Sequence, residues 1–243
     1  MFTNCQCLRE IPDSYSETFD FTYFNSNASA SCTFNFYECY SLRKIPSGFL
    51  KKIYNLITSQ YSQFYYYGLT YCYTLDEIVG LPVAPAKISG NAFNNTFDKN
   101  TRVKNIIFDT NEDGTAKTAQ WKGQTINVRG VGIANTLLHY IVGYNSGITA
   151  DKEVKDDATY AALKNDPDWF TRDVAYSRYN KTSAIATINS LPDTSAYIAA
   201  NGGTNTIKFT GAAGSATDGG AINTMTEEQI AVATAKGWTV TFA

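Results

Sequence analysis

The chain has 243 residues, 44% of them hydrophobic and 14% aromatic, and 20 Lys and Arg against 22 Asp and Glu leave a formal charge of −2. That length can bury a substantial core and suggests one or two domains, whereas the slightly acidic balance lacks the basic footprint of a nucleic-acid binder. No apolar run approaches the roughly 20 residues of a membrane-spanning helix, and the N-terminus has no basic start followed by an apolar stretch, so no membrane insertion and no signal peptide are expected.

Four copies of one spaced pattern occupy the first half. Each consists of an aromatic or Leu, then Cys or Asn, then Leu or Val, then Ile, in steps of three. The copies are Phe2, Cys5, Leu8, Ile11; Phe36, Cys39, Leu42, Ile45; Leu69, Cys72, Leu75, Ile78; and Phe97, Asn100, Val103, Ile106. Offsets of 34, 33 and 28 residues between copies predict stacked supersecondary units, that is, a solenoid. A step of three fits neither the 3.6 period of a helix nor the period of two of a strand. A coil that passes from a short helical segment into a short strand would bury all four positions, with Cys or Asn at the bend. Pro12 and Pro46 follow the Ile at one register and should end the strand where no further ladder donor is wanted.

The first copy begins at residue 1 without a polar cap, and solenoids need shielded ends. Its outer face is therefore expected to rest on another subunit or on further chain. All five cysteines, Cys5, Cys7, Cys32, Cys39 and Cys72, fall in this half. Three of them stand in the repeat column, where buried free thiols are the expectation and disulfides between coils the alternative. Zinc is not expected, because Cys5-x-Cys7 has the wrong spacing and the only histidine, His139, is far away.

Most of the 17 tyrosines also lie here, interleaved with Asn, Ser and Phe. Phe2, Phe36 and Phe97 belong to the core columns. Tyr23, Tyr61, Tyr65, Tyr66 and Tyr67 fall between them, where planar rings can stack on sugars or anchor a protein partner, and they are the candidate binding residues.

Composition becomes more polar over 111–180. Ile106–Phe108 and Thr118–Gln120, continuing to Thr125–Val128, read as strands around an Asn-Glu-Asp-Gly turn. Asp109, Asn111, Asp113 and Gly114 match the opening of a calcium loop, but Lys117 and Gln120 stand at its ninth and twelfth positions, where a ligand and a bidentate Glu are needed. No calcium is expected. His139, in the apolar stretch 137–142, reads as a core or interface residue, since no nucleophile with elbow or triad spacing accompanies it. Residues 156–163 are helical in character and Pro167 redirects them. Asp166 and Asp168 flank that proline in a solvated loop, and no carboxylate pair can be placed across a cleft from sequence, so no enzyme is expected.

The last sixty residues read as two helix-then-strand units. Ser183 should open a helix carrying Ile185, Ile188 and Leu191, ended by Pro192, and Ile207 to Phe209 alternates as a strand. Thr226 to Gln229 forms a capping box with Met225 and Ile230 as its hydrophobic staple. Gly237 supplies a left-handed cap before a last strand, 238–242. Parallel strands from these units would extend the ladder of the first half.

The stretches Met1-Phe-Thr-Asn-Cys-Gln-Cys-Leu-Arg-Glu-Ile-Pro12 and Asn35-Phe-Tyr-Glu-Cys-Tyr-Ser-Leu-Arg-Lys-Ile-Pro46 resemble the repeat of BspA-like leucine-rich-repeat proteins, and Met225 to Val240 resembles the closing segment of such arrays. The similarity covers about 1–110 and 183–243. It implies an α/β fold: an irregular leucine-rich-repeat solenoid with a parallel β ladder over 1–110, a central insertion with a hairpin and short helix over 111–182, and a C-terminal helix-strand cap over 183–243. The ending occurs in surface proteins of gut bacteria and structural proteins of their phages. The implied function is a non-enzymatic binding or adhesion module on the virion surface, recognising a host surface glycan or protein. Alternatives are a bacterial cell-surface or secreted adhesin fragment, and a structural or oligomerisation module packed against virion subunits or itself as a homo-oligomer. No metal, cofactor or nucleic acid is implied.

Overall fold

In the computed structural model, the repeat pattern meets the backbone first as a series of turns. The structure describes residues 4–5, 8–18, 36, 38–39, 41–54, 69, 72, 75–83, 88, 92–93, 96–97, 103–129, 138–143, 152–154, 169–174, 179–210 and 220–243. In the second copy the Cys39 amide donates to the Phe36 carbonyl at 2.9 Å and the Leu42 amide to the Cys39 carbonyl at 3.1 Å. In the third, Cys72 bonds to Leu69 and Leu75 to Cys72 in the same way, and in the first, Leu8 bonds to Cys5. Each step of three is one turn closed by a bond from residue i+3 to residue i. The expected helical lead-in is replaced by these turns, because Asn4 and Glu38, just before the cysteines of the first two copies, have φ of 60° and 61°, which a right-handed helix does not accept. Helices instead follow the Ile: α1 (Tyr15–Thr18) and α2 (Ser47–Tyr54).

After the turns, each copy meets the next in a parallel pairing. Glu10 bridges Lys44, Lys44 bridges Glu77, and Glu77 pairs with Asn105, each residue directly preceding the Ile of its copy. The extent of pairing follows the residue after that Ile. Where it is Pro12 or Pro46, contact is a single bridge, since proline has no amide to donate. Where it is Val79 and Ile107, pairing lengthens into β1 (Glu77–Leu81) and β2 (Asn105–Phe108). A register shift between Val79 and Leu81 falls at Gly80, whose φ is 79° and where a Cβ would stand 3.1 Å from that of Ser47. Glycine is needed there on both counts.

The ladder of the first half is not extended by the C-terminal strands. Helix α3 (Lys181–Ser190) lies against β2 instead. Its Thr187 hydroxyl donates to the Ile106 carbonyl at 2.6 Å, and its Ser190 hydroxyl accepts from the Phe108 amide at 3.0 Å. Side-chain hydroxyls thus satisfy backbone groups of β2. A second parallel sheet has the order β3–β7–β8, built from β3 (Thr125–Arg129), β7 (Asn205–Thr210) and β8 (Trp238–Phe242). On β7, Asn205, Ile207 and Phe209 are buried and alternate with half-buried residues, as a sheet packed on one face requires. Thr118–Gln120 is not a strand; Thr118 makes one parallel bridge, to Asp193.

Capping explains the helix ends. Asn180, not Ser183, is the N-cap of α3, its side chain accepting from the Ser183 amide at 3.0 Å. Leu191, preceding Pro192, turns extended and closes the helix, while the Lys236 ammonium bonds the carbonyls of Ile188 and Asn189 at 3.1 and 2.5 Å. Sequence reading passed over α4 (Ser195–Asn201), opened by Asp193, which accepts from the Ser195 amide at 2.9 Å. Helix α5 (Glu227–Ala235) has both bonds of the expected capping box, and Gly237, with φ of 82°, leads into β8.

The middle of the chain carries a three-stranded antiparallel sheet, β5–β4–β6, of β4 (Leu138–Gly143), β5 (Lys152–Val154) and β6 (Trp169–Val174). His139 stands on its central strand, in register with Val154 and Asp173. The helix expected over 156–163 and the Asp166–Asp168 loop lie outside the described residues. Strand β3, within the expected insertion, pairs with β7 of the C-terminal segment. Buried residues from Ile11 to Trp238 form one hydrophobic cluster.

Candidate functional site

The candidate binding residues Tyr23, Tyr61, Tyr65, Tyr66 and Tyr67 lie outside the described residues, whereas the ladder displays a Cys column and a charged surface. The Cys column comes first. Cys39 and Cys72 are fully buried thiols outside any disulfide, and the Cys72 thiol donates to the Phe36 carbonyl of the preceding copy at 3.2 Å. Burial pushes the Cys39 thiol from near 9.0 up to about 12 and raises Cys72 well above the ordinary range. Cys5 departs from the expectation of a buried column: it is free but exposed, because no described copy stacks on its outer side. Cys7, Cys32 and Asn100 lie outside the described residues.

These thiols should differ sharply in reactivity. A thiol-specific chromophore is expected to label Cys5 rapidly in the folded chain, and Cys39 and Cys72 only on unfolding, because the thiolate is the nucleophile. The raised values also set a pH dependence. The folded state holds its thiol protons where the unfolded chain has released them, so the contribution of these thiols to stability is level below about pH 9 and is lost as pH rises towards 12. Rapid labelling of Cys72 under native conditions would contradict this burial.

The outward surface of the ladder carries charge. Between the Leu or Val and the Ile of every copy stand two polar residues: Arg9-Glu10, Arg43-Lys44, Asp76-Glu77 and Lys104-Asn105. Lys44 bonds both carboxylate oxygens of Asp13 at 3.0 Å. Lys104 pairs with Glu77 at 2.9 Å, and Asn105 donates to the same carboxylate at 3.4 Å. Exposed pairs of this kind contribute little to stability, about 0–1 kcal/mol each, so their consequence is the pattern of charge offered to solvent. Sequence reading selected the aromatic residues and passed over these positions, although all four copies are polar at both of them.

The calcium-like loop is closed by its own residues. Lys117 places its ammonium 2.5 Å from the Asp109 carboxylate, which is almost fully buried. The Asp113 carboxylate accepts from the hydroxyl and amide of Thr115, which holds its pKa below the usual carboxylate range. Asn111 donates to the Thr115 hydroxyl and the Ala116 carbonyl, and Thr110 bridges Ala116 in antiparallel sense. A lysine ammonium thus sits on the carboxylate that calcium would need, and millimolar calcium or a chelator should leave the melting temperature unchanged. A rise of several degrees with calcium would overturn this. Among the described residues no group of three His, Cys, Asp or Glu is placed to hold a metal ion, and no helix is long and apolar enough to cross a membrane.

A buried polar network beneath the second sheet holds the two halves together. Asn205 donates to the Trp121 carbonyl and the Thr194 hydroxyl, both at 3.0 Å, and accepts from the Gln124 amide at 3.0 Å. The Gln124 side chain accepts from the Ala92 amide at 2.8 Å. These bonds tie the fourth repeat copy to the second sheet and fix the join. No family model matches the chain, and no curated protein or solved structure aligns significantly with it.

Proposed function

We propose that the chain is a leucine-rich-repeat solenoid of BspA-like type and a non-enzymatic binding or adhesion module, displayed on a phage particle or bacterial surface, where it recognises host glycan or protein. The observation that supports this reading is the parallel succession Glu10, Lys44, Glu77, Asn105, which recurs at one register of the repeat. Rigid stacked units of this kind present loops and ladder surfaces at fixed spacing, which suits recognition of an extended partner. Replacing Tyr65 and Tyr67 by Ser is expected to weaken attachment to host cells by about 2 kcal/mol or more while leaving stability nearly intact. Lost stability with unchanged attachment would return these tyrosines to the core.

A structural or oligomerisation role draws support from β8, which ends the order of its sheet and leaves Phe242 exposed. Sedimentation decides between the two: a concentration-independent monomer favours recognition, and a stable oligomer favours assembly.

A further inference from the structure

Arg9 and Arg43 stand at one register position on consecutive copies. The Arg43 amide donates to the Arg9 carbonyl at 2.7 Å, which holds the two segments at the spacing of neighbouring strands, about 4.8 Å. Both residues are exposed. The ion pairs among the described residues join Lys44 to Asp13, Lys104 to Glu77 and Lys117 to Asp109, and none of them takes in either guanidinium. Among the described residues no ion pair joins Glu10 or Asp76, their neighbours along the chain and the ladder, to either one. Like charges placed directly opposite each other destabilise a ladder. The nearby carboxylates that could quench them, Asp13 and Glu77, are held by lysines instead.

We propose that Arg9 and Arg43 form a two-guanidinium clasp for one oxyanion, a sulfate ester or uronate carboxylate, on an acidic saccharide. This rests on the surface-recognition reading above and gives it a ligand class. Each guanidinium is a planar fork matched to oxyanion geometry, and two forks at strand spacing bracket one such group. Lys44, next to Arg43, is bridged on both sides, by Glu10 and Glu77. That copy offers no free backbone edge on which an acidic peptide could add as a strand, so recognition falls to the side chains.

Titration calorimetry at low ionic strength tests this, with the full chain against sulfated dextran and oligogalacturonate, and with neutral dextran and poly-glutamate as controls. The expected result is binding of the two acidic saccharides that weakens with salt. The Arg9→Gln/Arg43→Gln double variant should lose roughly tenfold or more in affinity without a lower melting temperature. Arg43→Lys, which keeps the charge and removes the fork, should fall between, and it serves as the readout if the double variant does not fold. No wild-type binding to either saccharide, unchanged affinity in the variants, or equal binding of poly-glutamate would overturn the clasp. Host-cell attachment separates the two proposals. Attachment by the wild-type chain without saccharide binding overturns the clasp alone, whereas saccharide binding without attachment overturns the surface-recognition reading and leaves the clasp in place.

Discussion

Trp121→Ala is expected to destabilise the folded chain by about 3–5 kcal/mol, the range for removing a large buried aromatic side chain. Trp121 is fully buried, with its ring centroid 5.2 Å from that of Phe93 and 6.4 Å from that of Phe108. Phe93 also stacks on Phe97 and meets Phe108 edge-on. The four rings join the fourth repeat copy and β2 to the segment that leads into the second sheet, so a cavity there opens the join between the halves. The Trp121 carbonyl, which accepts from Asn205, is retained in the variant, so that bond is not lost with the ring. Equilibrium urea unfolding measures it, and a loss below about 1 kcal/mol would show that the halves do not share this core.

Leu42→Ala should cost about 2–5 kcal/mol. Its side chain is fully buried in the Leu column, and its amide closes the turn on Cys39. Because copies on both sides are tied to this one, by the Arg43-to-Arg9 and Asp76-to-Arg43 backbone bonds, the cavity cannot collapse freely. A urea melt showing less than about 0.5 kcal/mol would mean that the four-copy register is misassigned.

Legibility in the sequence followed the strength of local chemistry. The repeat columns were readable because a step of three with apolar residues leaves no solvent-facing choice, and Phe36, Leu42, Ile45, Leu75, Ile78, Val103 and Ile106 are all buried. The conformation that produces the step was not readable, since the positive φ at Asn4 and Glu38 requires no glycine and leaves little compositional trace. At the C-terminus, Thr226, Gln229, Gly237 and Pro192 act through short-range bonds and fixed dihedrals, and those elements fell where expected. The sheets were harder. Whether α3 or a strand lies beside β2 depends on Thr187 and Ser190 reaching backbone groups some eighty residues away, and no local pattern encodes that. Strands β4 and β6 had a usable signal, the β-branched and aromatic residues at 140–142 and 169–171, which was outweighed by the polar composition around them. The charged positions between Leu and Ile were visible in all four copies, but aromatic richness drew the functional reading elsewhere.

The central claim is that successive copies stack in parallel at one register, and scalar couplings across backbone hydrogen bonds test it most directly. The amides of Arg43, Asp76 and Lys104 donate to the carbonyls of Arg9, Arg43 and Asp76 at 2.7, 3.1 and 2.8 Å. Nuclear magnetic resonance on the deuterated, isotope-labelled chain should therefore show three amide-to-carbonyl couplings, each linking a copy to the one before it, with slow hydrogen exchange at the same amides. Couplings from these amides to carbonyls within their own copy, or rapid exchange at all three, would contradict the stacked arrangement.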